Sequence, residues 1–165
     1  MKIAIISDTH DNVASLKRAV GLIKKEEIKL IIHCGDIFHL ETLKEGLKSF
    51  QGKIYIIFSK ADADFSGIPE NSFRELPESK IWEEFGKVKL GEKKIAFCHF
   101  PEIARDLANC QKYDLVFYGH THKPWEQKIG KTKLVNPGNL AGLFYPATFA
   151  IYDTKTDKLE LKILS

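Results

Sequence analysis

"KIAIISDTHDNVASLKRAVGLIKKEE", residues 2–27, changes its hydrophobic period once, and that change decides the fold. Residues 2–7 carry the short unbroken run Ile3-Ala4-Ile5-Ile6, as expected of a strand buried on both faces. Residues 12–27 then place Val13, Leu16, Val20 and Ile23 at helical spacing. The pair recurs: "LIIHCGD" (30–36) reads as a second buried strand, Leu40, Leu43 and Leu47 mark a second helix, and "KIYIIFS" (53–59) reads as a third strand. Such β-α-β-α-β alternation predicts a parallel sheet with right-handed crossovers over this first part of the chain.

The texture changes after Ser59. Gly67, Pro69, Asn71 and Pro77 make a loop-rich passage, before "KVKLGEKKIAFCH" (87–99) reads as a hairpin about Gly91. Pro101 suits the first turn of a short helix through Leu107, and "YDLVFYG" (113–119) is another buried strand. "WEQKIGKTKLVN" folds about Gly130, and "TFAIYD" with "KLELKIL" flanks Thr154 to Asp157 as a closing hairpin. With no repeat, low-complexity tract or linker, residues 1–165 read as a single domain.

Composition excludes several classes. The 165 residues suffice for one core, and no apolar run approaches the roughly 18 residues of a membrane span. The N-terminal apolar run is too short for a secretory segment. Cys34, Cys98 and Cys110 form no CxxC pair, so a reducing cytoplasm is expected, with Cys34 and Cys98 as small buried hydrophobes. A net charge of +3, with only Arg18, Arg74 and Arg105 as arginines, argues against a nucleic-acid partner.

Asp8, His10, Asp36, His99, His120 and His122 all fall immediately after predicted strands, in "SDTHDN", "GD", "CHF" and "GHTH". The carboxyl ends of parallel strands line the ligand crevice of α/β sheets, so separate segments deliver these groups to one place. In extended chain, residues i and i+2 project to the same side, so Asp8 with His10, and His120 with His122, are each expected to present two donors in one direction. Imidazole and carboxylate together suit first-row divalent ions, and such a set can hold two ions about 3.5–4 Å apart. Asp36, after the tight turn at Gly35, is the natural bridge. Taken singly the pieces are bland: Asp-x-His is an ordinary loop pair, Asp11 or Asn12 would cap the next helix, and His33 inside its strand reads as a satisfied core residue. His39, in a loop, reads as solvent-exposed or as a substrate contact.

The order "SDTH", "HCGD", "CH", "YGHTH" and "NPG" (136–138) resembles the calcineurin-like metallophosphoesterases, and at this length their small YfcE/MJ0936-type phosphodiesterase branch. The resemblance implies an α/β fold, a four-layer αββα sandwich with a two-metal centre at one end. It also implies an enzyme that hydrolyses small phosphodiesters by in-line attack of a metal-activated hydroxide, with no side-chain nucleophile. By position, Asp8, His10 and His122 would hold one ion, Asp36 would bridge, and His99 with His120 would hold the other. Mn²⁺ is the first expectation, with Ni²⁺, Fe²⁺, Zn²⁺ and Mg²⁺ as alternatives. A homo-oligomer is left open.

The chain departs from the family at three places. Lys60, in Ser59-Lys60-Ala61-Asp62, stands where the family places a metal-ligating asparagine; a shifted alignment would put Asp62 there and Asp64 after it. A lysine about 4 Å from a divalent ion is repelled by roughly 8 kcal/mol at an effective dielectric of 20, so Lys60 turns away, is neutral, or stands in for the ion. One firmly held ion and a weak second site follow as the expectation, with Lys60 as a further candidate for substrate contact. Phe100-Pro101 replaces the Gly-His that relatives carry, and Asn139 replaces a serine after "NPG". The alternative function is a protein-interaction scaffold, resembling the retromer subunit of the same superfamily. A nuclease, suggested by "GDIFH", lacks the extra domain and the arginines.

Overall fold

The structure is a computed structural model that describes residues 1–58, 76 and 78–164. Strand β1 (Lys2–Ile6) leads into α1 (Val13–Lys25), β2 (Leu30–His33), α2 (Leu40–Leu47) and β3 (Lys53–Ile57). Then follow β4 (Ser79–Trp82), β5 (Phe85–Leu90), β6 (Lys93–Cys98), α3 (Pro101–Asn109) and β7 (Leu115–Phe117). Two hairpins complete the chain, β8 (Trp125–Ile129) with β9 (Thr132–Asn136), and β10 (Thr148–Asp153) with β11 (Lys158–Ile163).

Among the described residues the strands form two sheets, one of six in the order β11-β10-β1-β2-β3-β4 and one of five in the order β5-β6-β7-β9-β8. The expected parallel arrangement holds: β1, β2 and β3 pair parallel in register Ala4↔Ile31 and Ile31↔Ile54. The second sheet has its own parallel centre, β6 with β7 and β7 with β9. The hairpins about Gly91 and Gly130 and the closing hairpin also form as read.

Alternation of side chains builds the layers. Ile3 and Ile5, Ile95 and Phe97, and Leu115 and Phe117 project between the sheets, where they meet Tyr152. Their neighbours Ala4 and Ile6 turn the other way onto Leu16, Ala19 and Ile23 of α1 and Leu40, Leu43 and Leu47 of α2. Ala96 and Val116 likewise turn onto Ala104 and Ala108 of α3. Helices, sheet, sheet, helix: the chain is the αββα sandwich that was expected, with strands apolar on both faces because both faces are covered.

Strand β4 was not anticipated. Its four residues extend the six-stranded sheet beyond β3 in parallel register Ile54↔Ser79, inside the passage read as loop. An edge strand of this length, half-buried except for the exposed Lys80, carries neither an apolar run nor a clear alternation, so only its pairing identifies it. No helix among the described residues is long and apolar enough to cross a membrane.

Candidate metal centre

The donors reach one end of the sandwich because each follows a strand whose carboxyl end lies there: Asp8 and His10 after β1, Asp36 after β2, His99 after β6, His120 and His122 after β7. One group gathers Asp8, His10, Asp36 and His122, the other Asp36, His99 and His120, with the donor atoms of each group all within 4.8 Å of one another. Asp36 belongs to both. Its Oδ2 lies 3.3 Å from His10 Nε2 and 3.7 Å from His99 Nε2.

The local backbone is not the extended chain expected. Asp8 (φ 51°), His10 (42°), Asp36 (60°), His120 (69°) and His122 (58°) are all left-handed. Two such residues one apart turn the chain tightly, so each imidazole is aimed separately. Asp8 and His10 do share a group, but His120 and His122 part company, each entering a different one. Left-handed geometry at non-glycine residues costs about 1–3 kcal/mol each and persists only where the surroundings impose it.

Those surroundings are a set of backbone hydrogen bonds. The amides of Asp8 and His10 donate to the carbonyls of Gly35 and Asp36 at 3.0 and 3.1 Å, lacing the first donor loop to the second. The His120 amide donates to both carboxylate oxygens of the fully buried Asp8, at 3.0 and 3.2 Å. Gly119 permits that approach, since a Cβ there would lie 2.0 Å from Ser7 Oγ and 2.7 Å from Asp8 Oδ2. Asn136 of "NPG" donates to the Gly119 carbonyl at 2.8 Å and to Thr121 Oγ1 at 3.0 Å, holding the "GHTH" loop.

Donor chemistry fits cations at both places. His10 Nε2 and His122 Nε2 stand 3.0 Å apart. Two nitrogens each about 2.1 Å from one cation, at about a right angle, would be about 3.0 Å from each other. His99 Nδ1 lies 2.9 Å from the Cys34 carbonyl, which only accepts, so Nδ1 carries a proton. That tautomer leaves Nε2 as the nitrogen facing the Asp36 carboxylate, where it could offer its lone pair to a cation held between them. Burial pushes the Asp8 carboxyl up, but its contact with His122 and the nearby His99 outweigh this and leave it below the usual range. The Asp8 contact raises His122, while burial lowers His10.

Other readings meet mixed outcomes. His33 is fully buried and satisfied, as expected. Asn12 caps α1, its Oδ1 accepting from Ser15 N at 3.0 Å. Asp11 instead binds the backbone amide and Nδ1 of His39 and the Thr42 hydroxyl, which places His39 at the start of α2 with an exposed ring. Cys34 and Cys98 are buried as small apolar residues. Lys60, Asp62 and Asp64 lie outside the described residues.

Sequence reasoning named Asn139 and Phe100 only as departures from the family pattern, without their contacts, and passed over Phe38 and Phe144. Asn139 is buried, donating to the carbonyls of His122 (3.0 Å) and Leu143 (3.3 Å) and accepting from Leu143 N (3.0 Å). Phe38 stands edge-on to His10 at 4.7 Å, Phe100 to His99 at 4.8 Å, and Phe144 lies 5.9 Å from His122. The polar run "NPGN" between two strands was a usable signal for Asn139. A lone phenylalanine in a loop gives none, because it reads as core.

The chain has recognisable relatives. A phosphodiesterase of Methanocaldococcus jannaschii, MJ0936, is 29% identical over 158 residues, 94% of each chain. The structure of an archaeal phosphodiesterase matches with a TM-score of 0.88 at 27% identity, covering 99% of this chain and 100% of that one. Vps29 of Chaetomium thermophilum shares the fold with a TM-score of 0.69 at 16% identity, over 99% of this chain and 96% of its own. The calcineurin-like phosphoesterase superfamily domain matches residues 1–157, which is nearly the whole sandwich and every donor in it, and the chain belongs to that superfamily.

Proposed function

We propose that the protein is a metal-dependent hydrolase of small phosphodiesters. The observation that carries this is the Asp36 carboxylate, whose Oδ2 faces His10 of one donor group and His99 of the other. Asp8, His10, Asp36 and His122 would hold the first ion, and Asp36, His99 and His120 the second. Bound there, divalent ions supply an activated water and neutralise charge on phosphoryl oxygens. The residues supply placement. Asp8, fixed by the His120 amide, ties the two donor loops together, and the Cys34 carbonyl fixes the tautomer of His99. Two carboxylates among four imidazoles leave the loaded centre cationic, which favours an anionic ester.

The first group has four donors and the second three from the described residues, with His120 exposed. This asymmetry, with Lys60 at the family's asparagine position, supports one tightly held ion and a weaker second. Protein loaded with excess Mn²⁺ and desalted should retain one equivalent tightly; two would overturn that part. Hydrolysis of bis-p-nitrophenyl phosphate with Mn²⁺, Ni²⁺ or Mg²⁺ tests the rest, for the native chain and for Lys60→Asn. Activity in both upholds the enzyme. Activity only in the variant marks a degraded second site, and activity in neither favours the interaction scaffold.

A further inference from the structure

Two phenylalanines stand where a phosphate site has no use for them. Phe38 and Phe144 lie against His10 and His122, neighbouring imidazoles of the first donor group whose ring centroids are 4.8 Å apart. Neither ring is in the core: Phe38 is 40% exposed and Phe144 90%. Both also occupy left-handed backbone, φ 77° and 63°, a conformation that is a genuine outlier for a bulky residue. Exposure and strain both oppose folding, so the fold itself gains little from these side chains.

Phe144 is not exposed for want of order in its loop. Ala141 N donates to the Asp8 carbonyl at 3.0 Å and Leu140 N to the Ser7 carbonyl at 3.0 Å, while Asn12 Nδ2 donates to the Ala141 carbonyl. Asn139 grips Leu143 at both its amide and its carbonyl, and Tyr145 N donates to the Leu143 carbonyl at 2.7 Å. The segment is thus fastened to the donor loops ahead of Phe144 and closed across it by the Tyr145 amide, and its apex carries the ring beside His122. A phenyl ring neither ligates a cation nor donates to a phosphate. What it offers is a flat apolar face, and the edge-on packing of Phe38 against His10 (interplanar angle 84°) turns a side of imidazole toward phenyl while leaving phenyl surface open.

We propose that Phe144, with Phe38, forms a subsite for a planar aromatic substituent of the phosphodiester, an aryl group or a nucleobase, seated beside the first donor group. The inference rests on the phosphodiesterase reading above and narrows its substrate class. Stacking of one ring on another favours such a substituent over an alkyl one by about tenfold in affinity.

The test uses titration calorimetry on Mn²⁺-loaded full-length protein, because phosphonate binding needs no turnover. Phenylphosphonate should bind about tenfold more tightly than methylphosphonate. In Phe144→Gly that ratio should fall to within about twofold with methylphosphonate affinity unchanged. The glycine variant should melt no lower than the native chain, since it removes a strained and exposed side chain. Thymidine monophosphate against deoxyribose phosphate, measured the same way, tells a nucleobase from a simple aryl group; a preference in either pair supports the subsite. If the ligands need Mn²⁺ but the two members of each pair bind alike, or if the preference survives in Phe144→Gly, the subsite is wrong and the metal centre stands. If neither phosphonate notices Mn²⁺, the reading of the metal centre falls, and the subsite with it.

Discussion

His33 shows how one buried side chain can set the acid limit of the molecule. Its Nδ1 accepts from Gly35 N–H at 3.1 Å, so the proton sits on Nε2, which donates to Thr9 Oγ1 at 2.7 Å. Burial lowers its pKa from 6.5 to about 3. As pH falls below 6.5 the unfolded chain takes up a proton that the folded chain refuses until about pH 3. Stability present above pH 6.5 is therefore lost progressively on acidification, by up to about 5 kcal/mol at the lower limit. Melting temperature of chelator-treated protein should fall between pH 6.5 and 4, and His33→Gln, less stable at neutral pH, should show a flatter dependence; an unchanged slope would assign the acid loss elsewhere. This residue was legible in sequence because it sits inside "LIIH", flanked by apolar neighbours. The donors were legible for the opposite reason, each falling just beyond an apolar run. Their torsion angles were not, since no spacing rule distinguishes an extended Asp-x-His from one that turns twice.

The connection from β9 to β10 behaves as an element in its own right. It has no regular structure, yet Asn139 holds its middle and the backbone of His122 together through three side-chain hydrogen bonds. Asn139→Ala should cost about 2–3 kcal/mol in denaturant melts, because it removes all three hydrogen bonds of a buried amide side chain. It should also weaken Mn²⁺ binding about tenfold or more, read by calorimetry, since His122 loses its support. Loss of stability with metal affinity intact would show that the loop positions only itself. Among the elements, those with a strong period were legible: α1 from Val13, Leu16, Val20 and Ile23, and β6 from its apolar second half. Strand β4 was not, because Ser79–Trp82 is strand by virtue of β3 beside it rather than by its own pattern. The exposed apex at Phe144 was illegible because sequence reports that a residue is apolar but not which way its loop faces.

Across the molecule the two sheets are joined by more than their shared apolar layer. Asp157, at the turn between β10 and β11 of the six-stranded sheet, pairs with Lys93 (2.9 Å) of β6 and Lys133 (3.1 Å) of β9 in the five-stranded sheet. It also accepts from the hydroxyl of the buried Tyr152. The register Lys2↔Asp153 puts this junction at the end of the sandwich away from the donors. The Tyr152 hydroxyl, then Lys93 and Lys133, hold the Asp157 carboxyl well below the usual range, so its contribution is present above about pH 4 and is lost below it. Because Asp157 is half-exposed, solvent screens the ion pairs, and Asp157→Asn should cost only about 1–2 kcal/mol by chemical denaturation. About 1 M salt should shrink that deficit; a salt-independent loss would assign it to the Tyr152 hydrogen bond alone. The four-layer stacking was legible from strands apolar on both faces, whereas this junction was not, because Lys93, Lys133 and Asp157 look in sequence like any surface charges. The torsion angles around the donors have a practical corollary for anyone breeding this chain in the laboratory. A campaign that rewarded nothing but survival on heating would be drawn at those positions toward glycine, so endurance and cation capture would have to be screened together, generation by generation.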